Sequence, residues 1–262
     1  MIPSTADLSD LAAVASEAVQ APGDYLREAF RDGHTEGDYD RTDVKALADR
    51  EAQSRIQTVV ERYYPDHAFD GEESGDETDH RYRWVVDPLD GTNNFASGYP
   101  KFASAVAVLD AGTPVVAAIY EPVVDSLYVA KRGQGATFDG TPVAPEATLP
   151  LEYGTVALVI GLSAVTDPVL AQEAEQLELR VRKHCKRVIP TWAPCVDWGL
   201  VARGSIEGLV GFHPDTYEYF AGSLLAAESG IAVDDTVEEN GQYVGAVDRE
   251  TTVHLAEILD EL

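Results

Sequence analysis

The most informative segment of the chain is residues 84–95, which read Trp84-Val85-Val86-Asp87-Pro88-Leu89-Asp90-Gly91-Thr92-Asn93-Asn94-Phe95. The apolar run before Asp87 predicts a strand, and the pairs Asp87-Pro88 and Asp90-Gly91 predict a turn at its end. A strand that delivers two aspartates, three residues apart, into such a turn can point both carboxylates to one side of the sheet's end. The segment therefore predicts an acidic site at a strand end.

A second acidic group lies upstream, Gly71-Glu72-Glu73-Ser74, after a short predicted strand at Ala68-Phe69. If the two strands are neighbours, three or four carboxylates converge. Carboxylates about 5 Å apart repel by roughly 3 kcal/mol per pair at an effective dielectric constant of about 20, so such a cluster needs cations or protons. Oxygen donors with no Cys or His nearby in sequence favour Mg²⁺ over zinc. Two such ions are the usual device for displacement at phosphorus.

Gly91 and Thr92 suit a phosphate, because glycine allows close backbone approach and free N–H groups after the turn can bind anion oxygens. Each of these short patterns alone is also typical of ordinary turns and helix caps, and Glu73 falls within an acidic run, residues 70–79, where it would be a surface residue. Their combination favours a metal-dependent phosphate site.

These motifs resemble the two metal-binding signatures of the inositol monophosphatase family, which belongs to the lithium-sensitive, Mg²⁺-dependent phosphatases together with fructose-1,6-bisphosphatases. Tyr120-Glu121-Pro122, followed by residues 132–136, resembles the mid-chain hairpin of that family. The similarity runs from about Asp43 to Gly230. The resemblance implies an enzyme that hydrolyses a phosphomonoester by in-line attack of a metal-activated water, without a phosphoenzyme intermediate.

The resemblance also implies residue roles. Glu72 and Asp87 would hold a first Mg²⁺, Asp87 and Asp90 a second, and the Leu89 carbonyl would add an oxygen. Glu72 and Thr92 would orient the attacking water, which makes Glu72, Asp87 and Thr92 the predicted catalytic residues. The amides of Gly91 and Thr92 would hold the phosphate. Two accessory acids complete the predicted set: Glu73, which would assist or help to place a third, weaker ion, and Asp49, whose alternative is a solvated helix residue.

Two positions depart from the family pattern. Glu218 stands where the family usually has a ligand aspartate, and fructose-1,6-bisphosphatases resemble this chain in using Glu there. We expect Glu218 to bind the second metal; the alternative is a helix-start acid near the dipole. Gly211 replaces an acid that contacts ring hydroxyls in many inositol monophosphatases, so a different pocket wall is expected, formed by Tyr217, Tyr219, His213 and Asp215.

The predicted fold class is α/β. The first third reads as helices, residues 67–140 as strands joined by turns, and the segment from Thr155 onward as alternating strands and helices, which is typical of a layered sheet. The resemblance implies an α-β-α-β-α sandwich. A proline-rich seam near residues 142–152 predicts two halves: residues 1–148 carry most of the metal site, and residues 149–262 supply Glu218 and the substrate wall.

The charge balance is unusual, with 46 Asp plus Glu against 19 Lys plus Arg, of which 5 are Lys, and a formal net charge of −27. Such a surface repels nucleic acids and anionic membranes. Molar salt shrinks the Debye length to about 3 Å, so we interpret the balance as adaptation to a salt-rich, halophile-like cytoplasm; the alternative is an ordinary acidic protein.

Two cysteines, no basic apolar leader and no apolar span favour a cytoplasmic protein, and the resemblance implies a homodimer.

The substrate stays open between several phosphate esters. Inositol 1-phosphate is the first candidate because the two strong motifs resemble that branch. Fructose 1,6-bisphosphate is the second, favoured by Glu218 and Gly211, and a nucleotide 3′-phosphate is the third. A protein of a different class, a catalytically idle metal-binding homologue, is the remaining alternative. His67, His80 and His184 are expected on the surface, because the mechanism requires no histidine.

Overall fold

Strands from the first part of the chain form an eight-stranded sheet. The computed structural model describes residues 7–33, 37–39, 44–75, 80–146 and 149–260. The elements up to residue 142 are α1 (Leu8–Gln20), α2 (Gly23–Asp32), β1 (Gly37–Tyr39), β2 (Val44–Ala46), α3 (Leu47–Tyr63), β3 (Ala68–Gly71), β4 (Ser74–Gly75), β5 (Tyr82–Asp90), α4 (Thr92–Ser97), β6 (Ala103–Asp110), β7 (Thr113–Glu121), β8 (Ser126–Lys131), β9 (Gly135–Phe138) and β10 (Thr141–Pro142). The sheet order is β10-β9-β8-β7-β6-β5-β3-β4, and β1 pairs with β2 separately.

A five-stranded sheet follows, in the order β12-β11-β13-β15-β14. Its elements are a 3₁₀ turn (Leu151–Tyr153), β11 (Thr155–Ile160), α5 (Leu162–Thr166), α6 (Pro168–Val181), β12 (Arg187–Ile189), α7 (Pro194–Ala202), β13 (Gly208–Phe212), α8 (Thr216–Ser229), β14 (Ala232–Thr236), α9 (Val237–Asn240), β15 (Gln242–Ala246) and α10 (Arg249–Asp260). β11 pairs in parallel with β12 and β13, whereas β15 runs antiparallel to both of its neighbours.

The two sheets alternate with three helical layers. One face of the first sheet packs against α1 and α3, and the other face packs against α7 and α8. The opposite side of α7 and α8 packs on the second sheet, whose outer face is covered by α6 and α10. Alternation along β5 makes this sandwich possible, because Trp84 and Val86 face one helical layer while Val85 faces the other. The predicted α-β-α-β-α sandwich is confirmed.

Several local predictions are confirmed by capping and turn geometry. Asp167 caps α6 through its side chain and Pro168 is the first helical residue, as that pair predicts. α8 ends at Gly230, whose φ of +88° is in the left-handed region. The pair Thr42-Asp43 predicts a helix start, but these two residues lie outside the described ones, and α3 begins at Leu47, after β2. The sequence missed β14, α9 and β15.

His67 was predicted to lie on the surface, but it is half-buried. Its ring stacks on Tyr64 and on His80, with centroids 4.5 and 4.9 Å apart, and its Nδ1 accepts a hydrogen bond of 3.0 Å from the Trp84 indole. Burial lowers the pKa of His67 to about 4. His184 is exposed, as predicted. Among the described residues, no helix combines the length and apolarity needed to cross a membrane.

Candidate metal and phosphate site

A β-bulge places the two aspartates of the central motif on the same side of β5. Asp87 lies opposite Ala105 and Asp90 opposite Ala103, so three steps along β5 match two along β6. In a regular strand, residues three apart face opposite sides, and the extra residue of the bulge restores the same side. The buried Ser104 hydroxyl donates a 2.7 Å hydrogen bond to the Pro88 carbonyl inside the bulge. The predicted turn after Val86 is wrong, because β5 continues to Asp90.

The parallel pairing of β3 with β5 brings Glu72 to the same edge. Gly71 lies opposite Val86, and the Glu72 amide donates a 3.1 Å hydrogen bond to the Val86 carbonyl. A Cβ on Gly71 would lie 2.3 Å from the Gln53 Oε1 atom, so a larger residue there would displace the Gln53 side chain on α3. The predicted strand neighbours are confirmed, and Glu72 is delivered beside Asp87.

The N-termini of α7 and α8, in the helical layer between the two sheets, lie next to the aspartates. The Cys195 amide, in the first turn of α7, donates a 2.8 Å hydrogen bond to Asp90 Oδ2. Glu218 lies in the first turn of α8, where its Oε1 accepts a 3.2 Å hydrogen bond from the Asp215 amide and completes a capping box. A carboxylate has a second oxygen, so this capping bond leaves Glu218 Oε2 for another partner.

Burial and mutual repulsion act on Asp87, Asp90 and Glu218, whereas Glu72 is exposed. Burial raises the pKa of Asp87 well above its ordinary value, and the charges of Glu72 and Asp90 raise it further. Burial also raises the pKa of Asp90, against the lowering effect of the Cys195 amide. The pKa of Glu218 is also raised well above its ordinary value, first by burial and then by the charges of Asp215 and Asp90. The predicted convergence of acids from three stretches of chain is therefore present, and its members repel one another.

The hydroxyl of Thr92 connects the motif to α3. Thr92 Oγ1 lies 3.0 Å from Asp49 Oδ1 and 2.9 Å from the Leu89 carbonyl oxygen, and it can donate its proton to either. Asp49 is 3% exposed, so its interpretation as a solvated helix residue is wrong. Gly91 precedes α4 with a φ of +85°, and a Cβ there would lie 2.8 Å from the Lys101 carbonyl oxygen. Only glycine fits this approach.

A cleft of about 760 Å³ opens over the cluster. The predicted site residues that line it are Glu72, Asp87, Leu89, Asp90, Gly91, Thr92 and Glu218. Asp215 and Tyr217 also line it, as predicted for the pocket wall. Of the described residues around the cleft, none is a lysine, arginine or histidine. The lining is strongly acidic.

Three predicted neighbours of the site lie elsewhere. The Glu73 carboxylate pairs with Arg50 at 3.6 Å, and Glu73 is not among the residues that line the cleft. Tyr219 and His213 do not line it either, and the Tyr219 hydroxyl donates a 2.6 Å hydrogen bond to Asp235. The expected four-residue wall is thus reduced to Asp215 and Tyr217.

Sequence reasoning missed two cleft residues near the start of α7. Asp197 is 1% exposed; its Oδ2 accepts a 2.7 Å hydrogen bond from the Thr191 hydroxyl, while its Oδ1 has no hydrogen-bond partner among the described residues. Burial raises the pKa of Asp197 to about 8. Trp192 lines the cleft with 51% of its surface exposed. The sequence did offer a signal for Asp197, since it is a charged residue inside the apolar run of α7.

The donor set fits divalent cations. Carboxylate oxygens of Asp87 and Asp90 lie within 4.8 Å of each other and of the Cys195 sulfur, and all three residues are buried. Hard oxygen donors suit Mg²⁺, and buried acids whose pKa values are raised by one another are stabilised by a cation between them.

Comparisons with known proteins give one consistent result. A sequence model described as the inositol monophosphatase family matches residues 7–261. The chain is 30% identical over 224 residues to the fructose-1,6-bisphosphatase/inositol-1-monophosphatase of Aquifex aeolicus, covering 83% of this chain and 82% of that protein. It is 32% identical over 233 residues to the Nus factor SuhB of Escherichia coli, covering 84% of each.

Solved structures share the fold. The inositol monophosphatase from Anabaena superimposes with a TM-score of 0.83 at 24% identity, covering 98% of each chain. The extragenic suppressor protein suhB from Bartonella henselae superimposes with a TM-score of 0.86 at 24% identity, covering 96% of this chain and 99% of that one. These matches show that the layered sandwich is one already known.

Proposed function

This chain belongs to the inositol monophosphatase family and is a phosphoric monoester hydrolase, and on that premise we propose that the cleft hydrolyses the monophosphate of a small polyhydroxy alcohol, with inositol 1-phosphate as the first candidate. The observation that carries the proposal is the convergence of Glu72, Asp87, Asp90 and Glu218 on one cleft beside Gly91 and Thr92. Acids so placed repel one another until they bind a cation or protons.

The family is magnesium-dependent. We assign the ligands of two Mg²⁺ ions to Glu72, Asp87, Asp90 and Glu218, together with the Leu89 carbonyl. A third, weaker ion beside Glu73 would have to displace Arg50, which pairs with the Glu73 carboxylate. When bound, the ions supply positive charge that stabilises the phosphoryl oxygens and lowers the pKa of a water molecule.

Thr92 and Glu72 orient the attacking water in this proposal. In this proposal the Thr92 hydroxyl donates its one proton to Asp49 Oδ1 rather than to the Leu89 carbonyl, so its lone pairs can accept a proton from water. Asp49 is buried on α3 and fixes this orientation. The proton of the water therefore has a path to Thr92 Oγ1 and on to Asp49 Oδ1, while Glu72 accepts the water's second hydrogen bond.

The phosphate is held by the backbone in this assignment. The amides of Gly91 and Thr92 follow Asp90 directly at the start of α4, and both residues line the cleft. Gly91 has a φ of +85°, and successive amides around a left-handed residue can form a concave site for an anion. The ionised carboxylates across the cleft accept hydrogen bonds and cannot donate them to a phosphate.

The charge of the cleft supports a substrate with one phosphate. A second phosphate needs Lys, Arg or backbone donors, and the described residues that line the cleft include none of the basic side chains. This observation favours inositol 1-phosphate over fructose 1,6-bisphosphate, although Glu218 and Gly211 favour the bisphosphate. Fructose 1,6-bisphosphate remains the second candidate because the Aquifex relative carries both activities in its name.

Phosphate release in molar KCl tests the proposal. The substrates are inositol 1-phosphate, fructose 1,6-bisphosphate and a nucleotide 3′-phosphate, each with and without Mg²⁺. The variants are Asp90→Asn and, as a matched control, Asp234→Asn, which changes an exposed acid on β14. We expect Mg²⁺-dependent release, fastest from inositol 1-phosphate, that falls at least about 100-fold in Asp90→Asn and is unchanged in the control.

Two outcomes would contradict the assignment. A robust rate that survives Asp90→Asn would mean that the acidic cluster is not the reaction centre. No release from any of the three esters would favour the idle metal-binding homologue.

We also propose the two halves predicted from the sequence, residues 1–148 and 149–262. All strands of the first sheet precede residue 143, and all strands of the second follow residue 154. The halves share the layer of α7 and α8. The homodimer, the salt-rich cytoplasm and the lack of nucleic-acid binding stay predictions.

A further inference from the structure

The loop between β12 and α7 presents a tryptophan at the cleft. Trp192 lines the cleft and is 51% exposed, whereas Trp84 and Trp198 are fully buried. Tryptophan is highly buried on average, because its ring gains more than any other side chain from leaving water. An indole exposed beside a binding cleft is therefore available to whatever the cleft binds.

The backbone at Trp192 favours a much smaller residue. Its φ of +55° lies in the left-handed region, which bulky side chains rarely adopt and glycine adopts without strain. Strained residues of this kind persist where the surrounding structure holds them, and they cluster at ligand sites. The chain therefore carries its largest type of side chain at a position whose conformation suits its smallest.

Hydrogen bonds on both sides fix this loop relative to the phosphate end of the cleft. Asn94, two residues after Thr92 on α4, donates one 2.8 Å hydrogen bond to the Thr191 carbonyl and another to the Lys101 carbonyl. The Thr191 hydroxyl donates to Asp197 at 2.7 Å and accepts from the Ala193 amide at 3.1 Å. The backbone on both sides of Trp192 is thus held at a set position relative to the start of α4.

We propose that Trp192 is a specificity-determining residue whose indole face receives the ring of the leaving group while the start of α4 holds the phosphate. This inference rests on the proposed function. A cyclitol or sugar ring presents C–H groups on its faces and hydroxyls at its rim, so one face packs on the indole. The rim hydroxyls then meet the acidic lining at Asp215. A cleft of about 760 Å³ has room for this arrangement.

Two esters of secondary alcohols test the inference: inositol 1-phosphate, which has a ring, and glycerol 2-phosphate, which has none. The variants are Trp192→Gly, Trp192→Phe and, as a control, Tyr153→Ala, which removes an aromatic ring that is 60% exposed and does not line the cleft. In Trp192→Gly we expect KM for inositol 1-phosphate to rise about five- to tenfold with kcat unchanged, because an aromatic contact of this size is lost from both ground and transition states. KM for glycerol 2-phosphate should change less than about twofold.

The other variants separate stacking from folding. Trp192→Phe should restore most of the affinity for inositol 1-phosphate, and Tyr153→Ala should behave as the parent. Glycine relieves the left-handed strain, so Trp192→Gly should melt at the same or a higher temperature, which excludes misfolding. Equal changes on both esters, or none on either, would overturn the inference. So would a fall in kcat without a change in KM.

A binding measurement keeps this test independent of turnover. Trp84 and Trp198 are buried, and Trp192 is exposed. The difference in tryptophan fluorescence between the parent and Trp192→Phe is therefore the signal of the exposed indole. We expect inositol 1-phosphate with Mg²⁺ to change that signal on rapid mixing, and glycerol 2-phosphate to leave it unchanged. If neither ester is hydrolysed, the proposed function fails, and the fluorescence still decides: a response to the ring ester alone supports stacking, and equal responses overturn it.

Discussion

Replacing Asp197 with Asn should stabilise the metal-free protein, and by more as the pH rises. The side chain is 1% exposed, and its pKa is raised from 3.8 to about 8 by burial. Between these two values the folded state binds a proton that the unfolded state has already released. Stability is therefore full below about pH 4 and falls as the pH rises towards 8. An asparagine carries no proton to lose and keeps an oxygen for the Thr191 hydroxyl.

The size of the effect follows from the two pKa values. Each pH unit within the window is worth about 1.4 kcal/mol, so the carboxyl at position 197 costs on the order of 5 kcal/mol by about pH 8. At about pH 5 the same relation gives about 1.6 kcal/mol. The stabilisation by Asp197→Asn should therefore be about 3.5 kcal/mol larger at the higher pH.

Urea unfolding in molar KCl with EDTA measures this difference, since EDTA removes divalent ions whose charge would itself lower the pKa of Asp197. Asp234→Asn, on the exposed surface of β14, controls for the loss of one negative charge from a protein of net charge −27. A gain that is the same at both pH values, or a loss of stability at the higher one, would refute the reasoning that Asp197 is buried as a neutral acid.

Three further substitutions probe the cluster and its support. Thr92→Val should lower kcat by about 100-fold or more, because the proton path to Asp49 is lost; an initial rate within about threefold of the parent contradicts the path. Asp90→Asn should raise the melting temperature of the metal-free protein, because one repelling carboxyl is gone, and abolish the rise caused by Mg²⁺; an unchanged Mg²⁺ response in a thermal melt contradicts its assignment as a ligand. Ser104→Ala should cost about 1–3 kcal/mol in urea unfolding, because it leaves the Pro88 carbonyl buried without its partner. It should also weaken Mg²⁺ binding in a calorimetric titration, and a destabilised protein with unchanged affinity would mean that the bulge does not align the two aspartates.

The sequence predicted the acidic motif correctly but ended its strand too early. Asp-Pro and Asp-Gly pairs are typical of turns, and that local preference favoured a turn after Val86. In the structure the pairing with β6 continues to Asp90, and the proline, which has no N–H to donate, occupies the bulge. The bulge depends on Ser104 from another strand, so no local pattern could have predicted it.

The same limit explains the residues that were missed or misinterpreted. Asp49 follows Ala48 on an amphipathic helix, and a charged residue at such a position usually faces water; its burial depends on Thr92, which lies 43 residues away. The amide that caps Asp90 comes from Cys195, 105 residues away. The helix Thr216–Ser229 could be predicted, because it has local start and stop signals, and Glu218 lies in its first turn. Chemistry carried by one segment could be predicted, and contacts between segments could not.

Negative charge accumulates at two places in the chain, on the surface and in the buried acidic cluster, and different cations reduce the repulsion at each. The excess on the surface is spread over 46 acids, and dissolved monovalent salt screens it within a few ångströms. The cluster at Asp87, Asp90 and Glu218 is buried, where bulk salt screens much less and where repulsion is several times stronger than at the surface. A proton or an ion that binds directly to the carboxylates can relieve it, and of the two only the ion leaves the acids charged. Glu72, Asp87 and Asp90 come from one edge of the first sheet, and Glu218 comes from a helix of the shared middle layer. We therefore expect a divalent ion bound between them to stabilise the packing of α8 on the first sheet as well as to take part in the reaction.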